Sequence, residues 1–147
     1  MRQDDERNYH YCFCSYMSET RCIYEAIKKL TDSSPVVDIG SNYGFAKEFF
    51  PDGYLGIEPV FPIGTRTNAL TIVDKYPLST KVYIPDDVIA ISSFCMGYLC
   101  SEWEQLAHDF KYYCGEARVV DTRHFTKVNN CFVDDEMEIG LFSSMCR

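Results

Sequence analysis

The chain has 147 residues, of which 46% are hydrophobic and 24% charged, so it has the composition of one folded domain and is neither disordered nor of low complexity. Its 14 basic and 22 acidic residues give a net charge of -8, which repels phosphate and disfavours nucleic-acid binding by the chain alone. It has no signal-peptide pattern, no bilayer-length apolar stretch and no disulfide-framework spacing among its eight cysteines, so we expect a cytoplasmic protein with reduced thiols and no membrane contact.

The N-terminal part of the sequence divides into an arm and a first helix. Residues 1–17 are charged and then aromatic, without periodicity, and we expect an arm that a protein partner could contact. Ser18 can cap a helix whose apolar residues recur at intervals of three and four up to Leu30. Pro35 and the polar residues before it end this helix. The folded domain is expected to begin at the cap of this helix and to span residues 18–147.

A strand, a glycine-containing turn, a helix and a second strand follow in close succession. The apolar run VVDI at 36–39 predicts a strand, and GSNYG at 40–44 predicts the turn. Helical spacing in FAKEFF predicts a helix over 45–50, and YLGIEP predicts a strand over 54–59. This order predicts a βαβ unit with parallel strands and a right-handed crossover.

The middle of the chain carries fewer signals. Residues 60–85 have only weak strand character, at 70–73, and their geometry is left open. The run VIAISSF at 88–94 predicts a buried strand.

The last third predicts a helix, a strand and a hairpin. Ser101 and Glu104 form a capping box for an amphipathic helix that Gly115 ends. The segment ARVVDTRHF at 117–125 then predicts a strand, and two β-rich runs within 129–145 predict a terminal antiparallel hairpin.

Residues at the ends of the first two predicted strands have the chemistry of a nucleoside site. Asp38 precedes a turn bracketed by Gly40 and Gly44, where the lack of Cβ atoms lets backbone approach a ligand. Glu58 ends the second strand, and its carboxylate can accept hydrogen bonds from both hydroxyls of a ribose. The spacing D-x-G-x-x-x-G differs from the pyrophosphate fingerprint G-x-G-x-x-G, which argues against NAD or FAD.

The segments VVDIGSNYG and YLGIEP resemble motifs I and II of class I S-adenosylmethionine-dependent methyltransferases. The later predicted elements are also in the order of that family, so the resemblance covers residues 18–147. It implies an α/β fold in a single Rossmann-like domain, reduced in size, with a mostly parallel sheet and a C-terminal antiparallel hairpin.

The resemblance also implies a cofactor, S-adenosylmethionine, and the residues that bind it. The turn backbone would line the methionine part, Asp38 would support the turn or the ligand's ammonium, and Glu58 would bind the ribose. Asp74 would approach the adenine amine, with a surface carboxylate as the alternative, beside an apolar slot that includes Ile57, Pro59 and Val73. The complete set of predicted cofactor-binding residues is Asp38, Gly40, Ser41, Asn42, Gly44, Glu58, Asp74 and Ser93.

No catalytic residue is assigned, because the expected acceptor motif is altered. Members of the family that methylate nucleobase amines often carry an acid or Asn followed by Pro-Pro and an aromatic residue, whereas this chain has Ser92, Ser93 and Phe94. Ser93 either holds an acceptor or a water, or is a strand-end serine satisfied by backbone. Methyl transfer from a sulfonium depends mainly on positioning of the acceptor. The altered motif argues against base methylation and the negative net charge disfavours nucleic acid, so a small-molecule or protein acceptor is favoured.

A second resemblance is to viral cap ribose 2′-O-methyltransferases, through VVDIGS and EMEIGLF, with Glu136 at their glutamate position. Their aspartate is replaced by serine, and Val120 and Asp121 stand where a lysine is needed. The alternative function is therefore a non-catalytic, methyltransferase-like binding or regulatory subunit of a larger assembly, which would be viral if this relationship holds.

Other kinds of site have weaker support. His10, Cys12, Cys14 and Cys22 do not match the spacing of zinc fingers, so no metal site is predicted. The remaining histidines have no neighbouring nucleophile turn, and hydrolase chemistry is not indicated.

Overall fold

A computed structural model of the protein describes residues 21–60, 69–92, 102–133 and 137–147. Helix α1 occupies residues 21–31 and helix α2 occupies Trp103–Asp109, and 3-10 helices occupy Phe45–Phe49 and Ala117–Val119. The strands are β1 Val36–Ile39, β2 Tyr54–Ile57, β3 Thr71–Ile72, β4 Ile89–Ser92, β5 Tyr112–Glu116, β6 Phe125–Phe132 and β7 Glu138–Ser144.

The seven strands of the described residues form one sheet in the order β3-β2-β1-β4-β5-β7-β6. Neighbours among β1 to β5 are parallel, whereas β7 runs antiparallel to both β5 and β6. This confirms the predicted Rossmann-like α/β class and the C-terminal antiparallel hairpin. Strand order reverses between β1 and β4, and open α/β sheets bind ligands at the carboxyl ends of strands beside such a reversal.

Alternating side chains of the strands build an apolar cluster on each face of the sheet. On one face Val36, Ile91 and Cys114 pack with Ile23 and Ile27 of α1. On the other face the strands contribute Val37, Ala90, Tyr113 and Phe142, which pack with Trp103, Leu106 and Phe110 at α2. All four residues of β4 are buried, as expected for a central parallel strand that is covered on both faces. The described chain therefore has three layers.

The first helix agrees with its predicted apolar spacing. Ile23, Ile27 and Leu30 are buried, whereas Cys22 is exposed at the surface. The helix ends where Asp32 and Ser33 take left-handed φ values of 49° and 64°. The predicted cap, Ser18, and the predicted arm over 1–17 lie outside the described residues.

The predicted helix after the glycine turn is short and of a different type. Phe45–Phe49 forms a five-residue 3-10 helix rather than an α-helix. Phe50 ends it at φ -133° and ψ 60°, and Pro51 follows, which has no backbone N–H to continue a helix. The connection between β1 and β2 is therefore compact, and the parallel pairing predicted for these strands is confirmed.

The prediction for residues 101–125 is wrong in its boundaries. Helix α2 begins after Glu102 without a side-chain cap, and Ser101 of the expected capping box lies outside the described residues. The helix ends at Asp109, and Gly115 lies in β5 rather than ending a helix. The segment 117–124 is a 3-10 helix and a turn instead of a strand, and Phe125 is the first residue of β6. Neighbouring side chains of β5 pack alternately into the two core clusters, as in a strand. This alternation, and not the helical spacing of the preceding residues, determines the structure of this segment.

The remaining predictions at the level of elements hold. The buried strand predicted within 88–94 is β4. The two-residue strand β3 lies within 70–73, where the sequence has weak strand character. Hairpin β6–β7 has an irregularity between Lys127 and Asn129. Neither helix in the described residues is long and apolar enough to cross a bilayer. The cysteines in these residues, Cys22, Cys114, Cys131 and Cys146, are free thiols.

Candidate functional site

The turn after β1 is held against the end of β2 by backbone hydrogen bonds. Gly40 N and Ser41 N both donate to the carbonyl oxygen of Ile57, at 2.9 and 3.1 Å, and Gly44 N donates to Ser41 O at 2.9 Å. Gly40 and Gly44 have φ values of 73° and 75°, which glycine adopts without a Cβ penalty. The turn therefore has a defined shape at the carboxyl edge of the sheet.

Glu58 lies inside this turn and is fully buried, with 0% of its surface exposed. Its Oε1 accepts a hydrogen bond from Asn42 N at 2.8 Å, and its Oε2 accepts one from Val60 N at 3.0 Å. A carboxylate has about four acceptor positions, so these contacts do not prevent it from accepting hydrogen bonds from a ligand. The structure thus brings the predicted ribose acid and the predicted turn into direct contact.

Asp38 is the second buried carboxyl group at this edge. Its Oδ2 accepts a hydrogen bond from the Tyr54 hydroxyl at 2.5 Å. Burial raises the pKa of Asp38 to about 7, the Tyr54 hydrogen bond opposes that rise, and the charge of Glu58 adds to it. Burial also raises the pKa of Tyr54, so its hydroxyl stays a donor. Asp38 is therefore poised between its neutral and ionised forms near neutral pH.

Tyr54 and Gly56 are site residues that the sequence analysis missed. Gly56 pairs with Asp38 in the β1–β2 register, so Tyr54, Gly56 and Glu58 lie on one face of β2 and its extension. A Cβ on Gly56 would lie 2.5 Å from Ser41 Oγ, so only glycine leaves room for that side chain. The alternation of residues 54, 56 and 58 was the available signal, but it requires the register to be known.

Asn42 carries a polar atom that the described residues do not satisfy. The residue is 7% exposed, and its Oδ1 is buried with no hydrogen-bond partner in the described part of the chain. Together with the carboxylates of Asp38 and Glu58, this edge offers acceptors beside closely approachable backbone. Such a set fits a ligand that carries ribose hydroxyls and an ammonium group, as S-adenosylmethionine does.

The other predicted site residues are less closely tied to this edge. Asp74 follows β3, and its carboxylate accepts hydrogen bonds from Lys75 N at 2.7 Å and from Ser79 N and Oγ at 3.2 and 2.9 Å. These bonds lower the pKa of Asp74 and engage it in its own loop. In the predicted adenine slot, Ile57 is buried, Pro59 is exposed and Val73 is 37% exposed. Ser93 lies outside the described residues, next to the buried Ser92 of β4.

The residues named for the cap-methyltransferase resemblance do not form a described site. Val120 is buried in the core, and Asp121 is paired with Arg123 at 2.7 Å. Glu136 lies outside the described residues. This resemblance therefore stays a prediction.

Comparison with known proteins shows the fold. No family model matches the sequence, and no curated protein matches it. Among solved structures, the mitomycin 7-O-methyltransferase MmcR is 11% identical with a TM-score of 0.57, over 88% of this chain and 54% of that one. A chain from the complex of the Haloferax volcanii Trm112 methyltransferase activator with a proposed methyltransferase is 9% identical with a TM-score of 0.55. The match covers 90% of this chain and 95% of that one. A proposed methyltransferase from Thermoplasma acidophilum is 7% identical with a TM-score of 0.52. The match covers 76% of this chain and 68% of that one.

These similarities show that the chain has the Rossmann-like methyltransferase fold. Because all three identities are low, they show the fold alone. The chain spans about half the length of MmcR.

Proposed function

We propose that the protein binds S-adenosylmethionine at the turn after β1 and transfers its methyl group to a small-molecule or protein acceptor in the cytoplasm. The observation that carries this proposal is the buried Glu58 carboxylate, which contacts the turn in a sheet of the Rossmann-like methyltransferase fold. The net charge of -8 favours an acceptor without a phosphate backbone.

The residues at this edge have separate tasks in the proposed reaction. When bound, the cofactor supplies an electrophilic methyl group with a neutral leaving group, so the protein contributes position rather than acid–base chemistry. Glu58 would hold the ribose, and the backbone of Gly40 and Ser41 would lie beside the methionine part. Asp38, fixed by the Tyr54 hydroxyl, would support the turn from the β1 side.

Calorimetric titration with S-adenosylmethionine and S-adenosylhomocysteine tests the site. Glu58→Ala is expected to weaken binding by about 1–3 kcal/mol, because the ribose hydroxyls lose their acceptor. Glu58→Gln keeps the side-chain shape and separates loss of charge from loss of packing. Glu48→Gln is the matched control, since Glu48 is an exposed acid that pairs with Arg21 at 2.8 Å.

The outcomes separate binding from folding. Thermal unfolding without ligand shows whether each variant is folded, and Glu48→Gln should bind as the wild type does. Absence of binding heat with both ligands in the wild type would overturn the proposal. Equal affinity of wild type and both Glu58 variants would remove Glu58 from the site.

A non-catalytic, methyltransferase-like subunit is the second candidate. One observation favours it: β4 ends in Ser92, at the place where family members that methylate nucleobase amines often carry an acid or Asn. In this case a protein partner would bind, with the aromatic arm over 1–17 as the proposed contact, and the assembly would be viral if the cap-enzyme resemblance holds. Cofactor binding without transfer of labelled methyl groups to any acceptor in a cell extract would favour this candidate.

A further inference from the structure

The connection from β5 to β6 leaves a cleft on one face of the hairpin β6–β7. Both strands are antiparallel to β7, so they run in the same direction. Strands in the same direction are usually joined by a helix that covers the sheet. Here residues 117–124, all of them described, form a three-residue 3-10 helix and a turn. Between this connection and the hairpin lies a cavity of about 370 Å³, which is within the size range of small-molecule sites.

Aromatic side chains form the floor and one wall of this cleft. The ring of Phe142 lies over Gly140, since a Cβ added to that glycine would be 2.5 Å from the ring. Phe132 pairs directly with Glu138 in the β6–β7 register, and it is 64% exposed. Side chains of directly opposed residues in antiparallel strands have Cβ atoms about 5 Å apart. The cleft therefore places an accessible aromatic ring beside a carboxylate.

The acids of the cleft are the shielded halves of two ion pairs. The Glu138 side chain is 23% exposed and its Oε2 lies 2.6 Å from Lys127 Nζ, whereas the Lys127 side chain is 44% exposed. Glu116 pairs with Arg118, and their side chains are 10% and 79% exposed. Ion pairs with a solvent-exposed cation contribute little to stability, because water also stabilises the free cation. A cationic ligand can therefore take the place of the lysine at Glu138 at little cost.

This cleft is distinct from the candidate cofactor site. Glu138 begins β7, and β7 is the fourth strand along the sheet from β2, which Glu58 follows. At about 4.8 Å per strand, the two acids are separated by about 19 Å across the sheet. The contacts of the turn after β1 therefore do not extend to the cleft.

We propose that this cleft is a second ligand site, which binds a small primary amine with an aromatic body: the ammonium group replaces Lys127 at the Glu138 carboxylate, and the ring packs against Phe132 and Phe142. Glu116 adds negative charge to the same lining. The site is independent of methyl transfer and of the candidate cofactor site.

Two small ligands that differ in charge provide the test. In an NMR chemical-shift titration without cofactor, 2-phenylethylamine is expected to shift the backbone amides of Ala117, Thr122 and Phe132, which line the cleft, and to bind at about 1 mM. The alcohol 2-phenylethanol has the same body without the positive charge. It is expected to bind at least about tenfold more weakly.

Two substitutions in one ion pair should act in opposite directions. Glu138→Gln keeps the shape of the side chain and should weaken 2-phenylethylamine about fivefold or more, because the amine loses its counter-ion. Lys127→Met keeps the apolar stem and removes the competing cation, so it should tighten binding about threefold. A role of this pair in stability alone would not produce a gain in affinity from the loss of Lys127.

A matched control lies on the other face of the sheet. Glu25 is an acid of α1 whose side chain is 61% exposed and lies 3.8 Å from Arg21, and α1 packs on the face opposite to the cleft. Glu25→Gln removes one negative charge and should leave the affinity for 2-phenylethylamine unchanged. Thermal unfolding without ligand shows whether each variant is folded.

Several results would overturn the inference. These are the absence of shifts at the cleft amides up to about 20 mM 2-phenylethylamine, equal affinity for the amine and the alcohol, and unchanged or weaker binding by Lys127→Met. Equal losses in Glu138→Gln and Glu25→Gln would show a general effect of net charge and would also overturn it. Failure of the protein to bind S-adenosylmethionine would contradict the proposed function and leave this inference standing.

Discussion

Asp38 shows at the scale of one residue how folding changes the chemistry of a side chain. Its carboxyl group is buried between strands, contacts the Tyr54 hydroxyl and interacts with the charge of Glu58. Desolvation outweighs the Tyr54 hydrogen bond, so its pKa rises from 3.8 to about 7. The folded protein therefore holds this proton more tightly than the unfolded chain does.

The stability of the protein should depend on pH through this group. Between about pH 4 and 7 the folded state keeps the Asp38 proton and the unfolded state has lost it, so this group's contribution to the free energy of unfolding falls as pH rises and levels off above pH 7. Asp38→Asn removes the titration. At pH 8 it is expected to be about 2–4 kcal/mol more stable relative to wild type than at pH 5.

Urea unfolding at a series of pH values measures this difference. Tyr54→Phe serves as the companion variant, because loss of its hydroxyl should move the wild-type pH dependence to higher pH. Parallel stability profiles for wild type and Asp38→Asn would show that Asp38 does not titrate in this range.

At the scale of elements, the sequence predicted most of the sheet and failed where two periodicities overlap. The strands around the glycine turn and the terminal hairpin were predicted because short apolar runs are bounded by turn residues. The helical spacing from Trp103 to Phe110 was also real, but it offered no signal for the end of α2. Only the sheet determines that Tyr113 and Cys114 face opposite core clusters as part of β5.

The residues of the candidate site also differ in whether the sequence alone could predict them. Asp38, the turn and Glu58 could be predicted, because each follows directly from a strand end and a glycine spacing. Tyr54 and Gly56 could not, because their contacts depend on the register between β1 and β2. The burial of Asn42 Oδ1 without a hydrogen-bond partner among the described residues depends on side-chain packing, which no local pattern encodes.

Trp103 is expected to be the main anchor of α2 on the sheet. Its ring packs edge-on against Tyr113, with centroids 5.2 Å apart, and against Phe125 at 6.0 Å. Trp103→Ala should destabilise the protein by about 3–5 kcal/mol in chemical denaturation, because the cavity cannot close between helix and sheet. Phe132→Ala is the matched control: this aromatic side chain is 64% exposed, and its loss should change stability by less than about 0.5 kcal/mol. Similar losses for both variants would contradict the assigned packing.

At the scale of the whole molecule, Arg147 joins segments that are distant in sequence. Its guanidinium group donates to the backbone oxygens of Asp109 and Ile84, and its Nη2 lies 3.1 Å from Asp86 Oδ1. The side chain is 23% exposed, so these contacts are partly shielded from solvent. It therefore links the end of α2 to the loop before β4.

Arg147→Ala is expected to lower the free energy of unfolding by about 1–2 kcal/mol, because two backbone acceptors lose a charged donor. Arg147→Lys should restore only part of it, since an ammonium lacks the planar fork that reaches several acceptors. Arg123→Ala is the control, because its pair with Asp121 is solvent-exposed on the arginine side and should contribute little to the free energy of unfolding. Thermal denaturation of the three variants measures the comparison, and an unchanged Arg147→Ala would contradict the assigned link.

Hydrogen bonds within the protein itself, from Gly40 and Ser41 to Ile57 and from Asn42 to Glu58, fix the shape of the turn. Because these bonds join groups of the protein itself, we expect ligand binding to cost little loop entropy. Ligand binding should occur in one kinetic step. Its observed rate constant should increase linearly with ligand concentration, without the plateau that a slow rearrangement of the protein would cause.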